Sequence, residues 1–333
     1  MKNILKKIKD FFALPICRKI IKNVGMFVGT ILCLCLVCVV LVAVCGIGLY
    51  SYIFSDYEPQ TSTVKVENIA ISDKAPDTKS YHIALLGIDN EDGMTGRSDT
   101  IMIFTVDKEH KQLKLTSILR DSYVPIKDHN SDKINHAYAY GGAELTLHTI
   151  NSNFNMNVSE YVALDFQKFM DIIDMVNGVD LTLSAAECEE INRTTKYLHP
   201  SSSVLPPGGN VHLDGFQAIT YTRIRYIDSE TQRTSRQRYL IQQLAYKLKN
   251  QHMTDYPKLL RQFLPMLDTS LSEAELMKIA VDVLSCDTEI KQYTVPAEAD
   301  NAIGGSYNGY WCWRYDVPAA ADRWHEFLET KVE

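Results

Sequence analysis

Several motifs that mark familiar enzyme classes are missing from this chain of 333 residues. The sequence contains no P-loop, no HExxH and no GxSxG, and it has no internal repeat. These absences argue against a Walker-type nucleotide site, a zincin metalloprotease and an α/β-hydrolase.

Cysteine is also scarce beyond the N-terminal region. Of the eight cysteines, only Cys188, Cys286 and Cys312 follow residue 54, and none of them lies in a CxxC motif. Cys286 and Cys312 could form a disulfide. An odd number without metal-ligand spacing nevertheless supports neither a disulfide framework nor a zinc site.

Positive charge is in deficit over most of the chain. The formal net charge is -7, and residues 51–333 carry 27 Lys and Arg against 40 Asp and Glu, a charge of -13. Because such a field repels polyanions, nucleic acid is not expected as a partner.

The N-terminal region has the opposite character. Residues 24–54 are almost uniformly apolar and carry no charge, which exceeds the roughly 20 residues that a transmembrane helix needs. Seven Lys and Arg precede this run, so residues 1–23 are expected to be a cytoplasmic tail and the rest to lie outside the cell membrane. No cleavage site is evident, which favours a retained single-pass anchor. Residues 55–79 are polar, contain Pro59 and Pro76, and are predicted to be a linker.

Short apolar stretches and helical patterns then alternate. Strands are predicted at 81–87, 100–106, 112–118, 161–164, 179–183 and 290–295, and helices at 143–154, 166–176, 255–267, 272–284 and 318–329. The first three strands have short connections and should be antiparallel neighbours. We therefore predict an α/β fold, an αβα sandwich with a central mixed, partly antiparallel sheet. Residues 184–210 are predicted to be a loop that could cover a site.

Charged residues cluster at the ends of the first three strands. Asp89 follows the first strand, Arg97 and Asp99 lead into the second, and Arg120 and Asp121 follow the third. Antiparallel neighbours bring these three ends to one edge of the sheet. Asp and Arg are common at strand ends, however, and Asp99 could simply pair with Arg97.

A second cluster lies at residues 222–238, where five arginines occur within seventeen residues: Arg223, Arg225, Arg233, Arg236 and Arg238. Residues 218–226 are rich in Thr, Tyr and Ile and are predicted to be a strand, which would place Arg223 and Arg225 on one face. A helix is predicted to begin near residue 231 with Arg233 and Arg236 in its first turn. This arrangement indicates a phosphate or pyrophosphate site, with a solvated basic face as the alternative.

Taken in order, the motifs GID, RSDT, SILRDS, KINHAYAYGG, NGVDLTL, LDGFQAITYTRIR and RTSRQR resemble the LytR-CpsA-Psr family over about residues 81–248. The resemblance implies a magnesium-dependent phosphotransferase. Such an enzyme moves an anionic glycopolymer, of the teichoic-acid or capsule type, from a polyprenyl-pyrophosphate carrier to a sugar hydroxyl of peptidoglycan. It also implies an apolar tunnel for the lipid. Residues 80–250 would form the catalytic core, and residues 251–333 would pack on it or extend it.

The resemblance also implies roles for individual residues. Asp89 and Asp99 match the magnesium-associated carboxylates, and the catalytic group would comprise Arg97, Asp99, Arg120 and Asp121. The residues that match pyrophosphate contacts are Arg97, Arg120, Lys133, Arg223, Arg225, Arg233 and Gln237. Leu119, Asn177 and Glu230 depart from the family pattern, and the last of these puts the local loop geometry in question.

Two other functions are compatible with the same residues. The site could hydrolyse polyprenyl pyrophosphate with water as acceptor. Alternatively, the protein could be a non-catalytic membrane module that binds lipid-linked glycans and regulates wall assembly. Only the transferase would form a covalent link between polymer and peptidoglycan. The general base stays unassigned, and Asp121 is one choice for it.

Overall fold

The structure, a computed structural model, describes residues 46–57, 64–76, 79–89, 96–225, 227, 230–250, 252, 254–287, 289–307 and 309–332. They belong to two compact units, Met1–Asp56 and Tyr57–Glu333. Within the first unit, residues 46–54 are helical. Among the residues described, no helix combines the length and apolar character needed to cross a membrane. Most of the predicted anchor, and all of the predicted tail, lie outside these residues.

A mixed six-stranded sheet forms the centre of the second unit. Its strands are β1 (Tyr81–Asp89), β2 (Arg97–Asp107), β3 (Gln112–Ile118), β6 (Glu160–Asp165), β9 (Asp268–Thr269) and β10 (Ile290–Val295), in the order β10, β3, β2, β1, β6, β9. The pairs β1–β2, β2–β3 and β6–β9 are antiparallel, whereas β1–β6 and β3–β10 are parallel. The prediction of a mixed, partly antiparallel sheet is therefore confirmed.

Three two-stranded ribbons accompany the sheet. They are β4 (Tyr123–Val124) with β5 (Asp132–Lys133), β7 (Val179–Leu183) with β8 (Gly209–Leu213), and β11 (Ile303–Tyr307) with β12 (Tyr310–Arg314). The helices of this unit are α1 (His136–Phe154), α2 (Phe166–Met175), α3 (Ala185–Leu198), α4 (Gly215–Arg223), α5 (Glu230–Lys249), α6 (Tyr256–Phe263), α7 (Glu273–Leu284) and α8 (Val317–Glu329).

Helices cover both faces of the sheet because the strand residues alternate between two apolar clusters. Leu86 of β1 and Ile103 of β2 pack with Leu147 of α1 and Trp324 of α8. On the opposite face, Met102 and Leu115 pack with Ile241 of α5 and Val283 of α7. Since side chains of a strand point alternately to its two faces, this pattern produces three layers.

A separate apolar cluster lies around the β7–β8 ribbon, where α2, α3, α4 and α5 pack together. The loop predicted at 184–210 is wrong, because this segment contains α3 and the start of β8. Ser184 accepts a hydrogen bond from the backbone N–H of Glu187, whose carboxylate in turn accepts from the backbone N–H of Ser184. This capping box begins helix α3. Ile191 lies on the face of the helix that is buried in the protein.

The C-terminal segment completes both edges of the sheet. Strand β10 extends it beside β3, and β9 extends it beside β6. The chain end is held by the buried Lys114, whose Nζ lies 2.7 Å from Asp107 Oδ2 and 2.8 Å from the carbonyl oxygens of Leu328 and Thr330. Cys188, Cys286 and Cys312 are free thiols, so the suggested disulfide between Cys286 and Cys312 is not formed.

The predicted linker does not hold for residues 64–76, which pack against the core. Ile69 is fully buried in the cluster that includes Leu147 of α1. Its carbonyl oxygen accepts a hydrogen bond of 2.8 Å from Asn151 Nδ2. The polar composition of this segment favoured a linker, but the burial of Ile69 makes this part of the segment a piece of the folded domain.

We expect Ile69→Ala to lower the free energy of unfolding by about 3 kcal/mol, because the substitution leaves a cavity in the core. Ile71→Ala is the matched control, since Ile71 is 45% exposed and its truncation should cost less than about 0.5 kcal/mol. Urea denaturation of both variants measures the difference. Equal, small effects would restore the linker interpretation.

Candidate active site

The ends of β1, β2 and β3 meet at one edge of the sheet, as the sequence predicted. Asp89 and Arg97 are register partners at the open end of the β1–β2 pair. Arg120 and Asp121 follow one residue after the end of β3. They open into a cleft of about 660 Å³. The side chains lining it are those of Asp89, Arg97, Asp99, Arg120, Asp121, Lys133, Asn135, His136, Ala139, Tyr140, Arg225 and Tyr310.

Side chains from three parts of the chain converge on the Asp99 carboxylate in this cleft. Its Oδ2 lies 2.6 Å from Arg120 Nη1 and 3.7 Å from Arg225 Nη2. Its Oδ1 accepts a long hydrogen bond, 3.3 Å, from Asn135 Nδ2. The alternative that Asp99 simply pairs with Arg97 is therefore not what the structure shows. Because Asp99 and Arg120 are only 13% and 12% exposed, water screens their attraction less than it would at an open surface.

Asp121 bridges two cations. Its Oδ1 lies 2.8 Å from Lys133 Nζ, and its Oδ2 lies 3.5 Å from Arg120 Nε. Lys133 is brought to this position by β5, which pairs with β4 so that Lys133 stands opposite Tyr123. Asp121 thus orients two cationic side chains toward the cleft.

Arg223 and Arg225 reach the site by a route that the sequence did not predict. Residues 215–223 form helix α4 rather than a strand, because Asp214 and Gln217 build a capping box at its start. Arg223 is the last residue of the helix, and Arg225 lies two residues beyond. Arg223 Nη2 lies 4.0 Å from Asp89 Oδ2, and the guanidinium also stacks over Phe166. The strand prediction is wrong, yet both side chains reach the predicted carboxylates.

The arginines of α5 are buried, unlike the exposed Arg223 and Arg225. Arg236 is buried and its Nε lies 2.8 Å from Glu187 Oε1. Arg238 is buried and donates to Gln292 Oε1 and Thr294 Oγ1, each at 2.9 Å. Arg233 and Gln237 are also buried on α5 and do not line the described cleft. Arg236 was expected to contribute to the phosphate site, but it does not line the described cleft, because its guanidinium pairs with Glu187 and ties α5 to α3.

Several cleft residues were not singled out from the sequence: Asn135, His136, Tyr140 and Tyr310. The first three lie in the KINHAYAYGG motif, so the motif was the available signal. Tyr310 lies in the β11–β12 ribbon, which no pattern indicated. Asp132 holds part of this group, because its Oδ2 lies 2.7 Å from both His136 Nδ1 and the Tyr140 hydroxyl.

Titration behaviour follows from these contacts. Burial acts to raise the pKa of Asp132, but the hydrogen bonds from His136, Tyr140 and the Lys133 N–H outweigh it and hold the pKa below its usual value. The same hydrogen bond to Asp132, with some burial, raises the pKa of Tyr140 to about 12. Tyr140 therefore remains a neutral donor across the physiological range.

The residues present fit a magnesium ion. No described group of three or more His, Cys, Asp or Glu side chains is arranged as a metal site. Mg²⁺ needs only one or two protein carboxylates when phosphate oxygens and water complete its shell. Asp89 and Asp99 supply such carboxylates. Beside them the buried Asn135 Oδ1 has no hydrogen-bond partner among the residues described, so this oxygen can accept from a water or a substrate hydroxyl.

The charge balance of the site is positive, although the chain is acidic. The cations Arg97, Arg120, Lys133, Arg223 and Arg225 lie among the carboxylates of Asp89, Asp99 and Asp121. Guanidinium groups bind phosphate oxygens through paired N–H donors. The arrangement can therefore bind a pyrophosphate and stabilise charge on a phosphoryl group.

Comparison with known proteins gives consistent matches. A model of the LytR_cpsA_psr family matches residues 47–327. A polyisoprenyl-teichoic acid–peptidoglycan teichoic acid transferase TagU of Enterococcus faecalis is 31% identical over 284 residues, covering 82% of this chain and 88% of the relative. TagU of Bacillus cereus is 28% identical over 293 residues, covering 84% and 90%.

Solved structures agree with these matches. TagT bound to LIIa-WTA superimposes with a TM-score of 0.63 at 26% identity, covering 78% of this chain and 94% of TagT. YwtF (TagT) with bound octaprenyl pyrophosphate lipid gives a TM-score of 0.59 at 25% identity, covering 78% and 93%.

Buried and exposed arginines should differ in how much they contribute to the free energy of unfolding. We expect Arg238→Ala to lower the free energy of unfolding by about 2 kcal/mol, because the substitution removes a buried side chain together with its hydrogen bonds to Gln292 and Thr294. Arg225 is 47% exposed, so Arg225→Ala should change stability by less than about 0.5 kcal/mol. Chemical denaturation of the two variants compares them directly. A stable Arg238→Ala protein would contradict the structural role assigned to this residue.

Proposed function

Because this chain belongs to the LytR-CpsA-Psr family, we propose that it transfers an anionic glycopolymer, with its phosphate, from a polyprenyl-pyrophosphate carrier to a sugar hydroxyl of peptidoglycan. The observation that carries the proposal is the cluster at Asp99, where Arg120 and Arg225 converge on one carboxylate at the sheet edge. Relatives named as teichoic acid transferases, and a related structure holding octaprenyl pyrophosphate, support it.

In the proposed reaction a sugar hydroxyl of the acceptor attacks the phosphorus that carries the polymer. A new bond forms between the hydroxyl oxygen and this phosphorus, and the pyrophosphate bond to the lipid phosphate breaks. Polyprenyl monophosphate leaves, and the hydroxyl proton is released to solvent. Such transfers depend on positioning and charge stabilisation more than on covalent help from the protein.

Each residue of the cleft has a part in that scheme. Arg97, Arg120, Arg223 and Arg225 bind the pyrophosphate oxygens, with Lys133 as a further cation. Asp121 orients Arg120 and Lys133 through its two oxygens. Asp89 and Asp99 would hold Mg²⁺, which, when bound, neutralises phosphate charge in the transition state. Arg233 and Gln237 are buried on α5 and do not line the described cleft, so the scheme gives them no contact with the pyrophosphate.

The proposal includes a location. Residues 24–54 would anchor the chain in the cell membrane, with the basic tail of residues 1–23 in the cytoplasm and the catalytic domain outside. An anchored enzyme suits a substrate whose carrier is a membrane lipid.

Incubation of the purified full chain with a lipid-linked polymer and peptidoglycan tests the function. We expect a covalent polymer-peptidoglycan product together with polyprenyl monophosphate, detected by mass spectrometry. Release of lipid phosphate without a coupled product would support the hydrolase instead. Binding of the donor without any cleavage would indicate a non-catalytic glycolipid-binding protein.

Arg225→Lys tests the need for a guanidinium. Lysine keeps the charge but cannot donate two parallel N–H bonds, so transfer should fall about thirtyfold, nearly as far as in Arg225→Ala. The control is Arg193→Lys, an exposed arginine on α3 that pairs with Glu190. Steady-state transfer rates measure the effect. Full activity of Arg225→Lys would show that charge alone suffices.

Asp99→Asn tests the metal. The amide removes the negative charge that attracts Mg²⁺, so transfer should drop at least about a hundredfold and lose its response to added magnesium. Isothermal titration calorimetry with Mg²⁺ and a pyrophosphate analogue gives a readout independent of activity. An unchanged magnesium titration in the variant would place the metal elsewhere.

A further inference from the structure

Two exposed tyrosines come from distant parts of the chain but line the same cleft. Tyr140 comes from α1 and is 45% exposed, and Tyr310 comes from β12 and is 55% exposed. Both line the cleft that contains Asp99 and Arg120. Large aromatic rings left half open beside charged groups are not explained by core packing.

Neighbouring side chains hold the Tyr140 ring in place. The Tyr140 hydroxyl donates to Asp132 Oδ2 at 2.7 Å, and the ring stacks on His129 with centroids 4.2 Å apart and planes 11° apart. One face of the ring is thus covered by His129, and His136 also meets the ring, with centroids 6.0 Å apart and planes 70° apart. The rest of the ring stays exposed to the cleft.

Tyr310 is positioned by the ribbon that carries it. Its ring meets His136 edge to face, with centroids 5.8 Å apart and planes 87° apart. His136 is itself held by Asp132, so both tyrosines depend on the same carboxylate. The two rings therefore belong to one fixed group, which we name the tyrosine pair.

The β11–β12 ribbon is attached directly beside the residues that follow β3. The backbone N–H of Trp313 donates to the carbonyl oxygen of Asp121 at 2.9 Å. The Tyr315 hydroxyl donates to Ser122 Oγ at 3.0 Å. A ligand that rests on Tyr310 is consequently held next to Asp121 and the cations that it orients.

Resting on the proposed function, we propose that the tyrosine pair is the subsite that binds a pyranose ring of the acceptor glycan. The C–H face of a pyranose packs on an aromatic ring, and its hydroxyl and acetamido groups need polar partners nearby. The buried Asn135 Oδ1, which lacks a described partner, lines the same cleft and is such a partner. Ring stacking would then direct one sugar hydroxyl toward the phosphate site.

Charge favours the acceptor over the donor polymer at this position. The donor phosphates are attracted to Arg120 and Arg225, on the Asp99 side of the cleft. On the other side, Tyr140 donates to Asp132, whose hydrogen bonds hold the pKa of its carboxyl below the usual value. Next to this carboxylate an uncharged stretch of glycan is favoured over an anionic polymer.

The test compares Tyr310→Ala, Tyr310→Phe and Trp311→Ala in the full-length protein. Trp311 is the matched control, since it is 47% exposed on the same strand. It points to the other face of the ribbon, where it packs against Trp313. Two measurements are made: the KM values for acceptor and donor in transfer, and the binding of chitotetraose, an uncharged N-acetylglucosamine oligomer, by calorimetry.

We expect Tyr310→Ala to raise the KM for the acceptor about tenfold, with the KM for the donor changed less than about twofold. Tyr310→Phe keeps the ring and should stay within about twofold of wild type, as should Trp311→Ala. Chitotetraose should bind the wild-type protein and lose affinity to the same extent in Tyr310→Ala. Thermal melts confirm that each variant is folded.

Other outcomes would overturn the assignment. A raised KM for the donor alone would make the tyrosine pair a polymer site, and an equal loss in Trp311→Ala would place the glycan on the other face of the ribbon. Failure of the wild-type protein to bind chitotetraose would remove the subsite. Binding that depends on Tyr310 in a protein that transfers no polymer would instead keep the subsite and reject the proposed function.

Discussion

The Asp99 carboxylate is the interaction on which the charged edge of the sheet depends. It is largely buried, and two guanidinium groups from distant parts of the chain converge on one of its oxygens. Without this negative charge, Arg120 and Arg225 would repel each other in a partly desolvated cleft. The two guanidinium groups can therefore approach each other because Asp99 lies at the start of β2, beside the end of β3.

In the proposed reaction, the same arrangement would let an acidic protein select an anionic substrate. The overall charge of -7 keeps polyanions away from the general surface. The cations gathered at the sheet edge create a local positive field where a pyrophosphate can replace the carboxylates as partner. Specificity then depends on bidentate geometry and on the neighbouring groups, since long-range attraction is weak.

The fold separates two uses of arginine that look alike in the sequence. Arg223 and Arg225 lie at the end of α4 and contact the cleft carboxylates, whereas Arg236 and Arg238 are consumed by contacts inside the protein. Helical spacing does not distinguish them, because the partners come from α3 and β10, remote in the chain. The β-rich composition of residues 218–226 was likewise overridden, since the capping box at Asp214 and the burial of Ala218 and Tyr221 favour a helix.

The sequence by itself determined the antiparallel order of β1, β2 and β3 and hence the meeting of Asp89, Asp99 and Arg120 at one edge. Strand periodicity and short connections are local properties, and they leave little choice of topology. Only the tertiary structure decided that Ile69 is part of the core, which arginines lie at the cleft, and that Tyr310 lines the same cleft as Tyr140. Each of these outcomes depends on contacts between segments far apart in the chain, and such contacts are settled by packing rather than by local propensity.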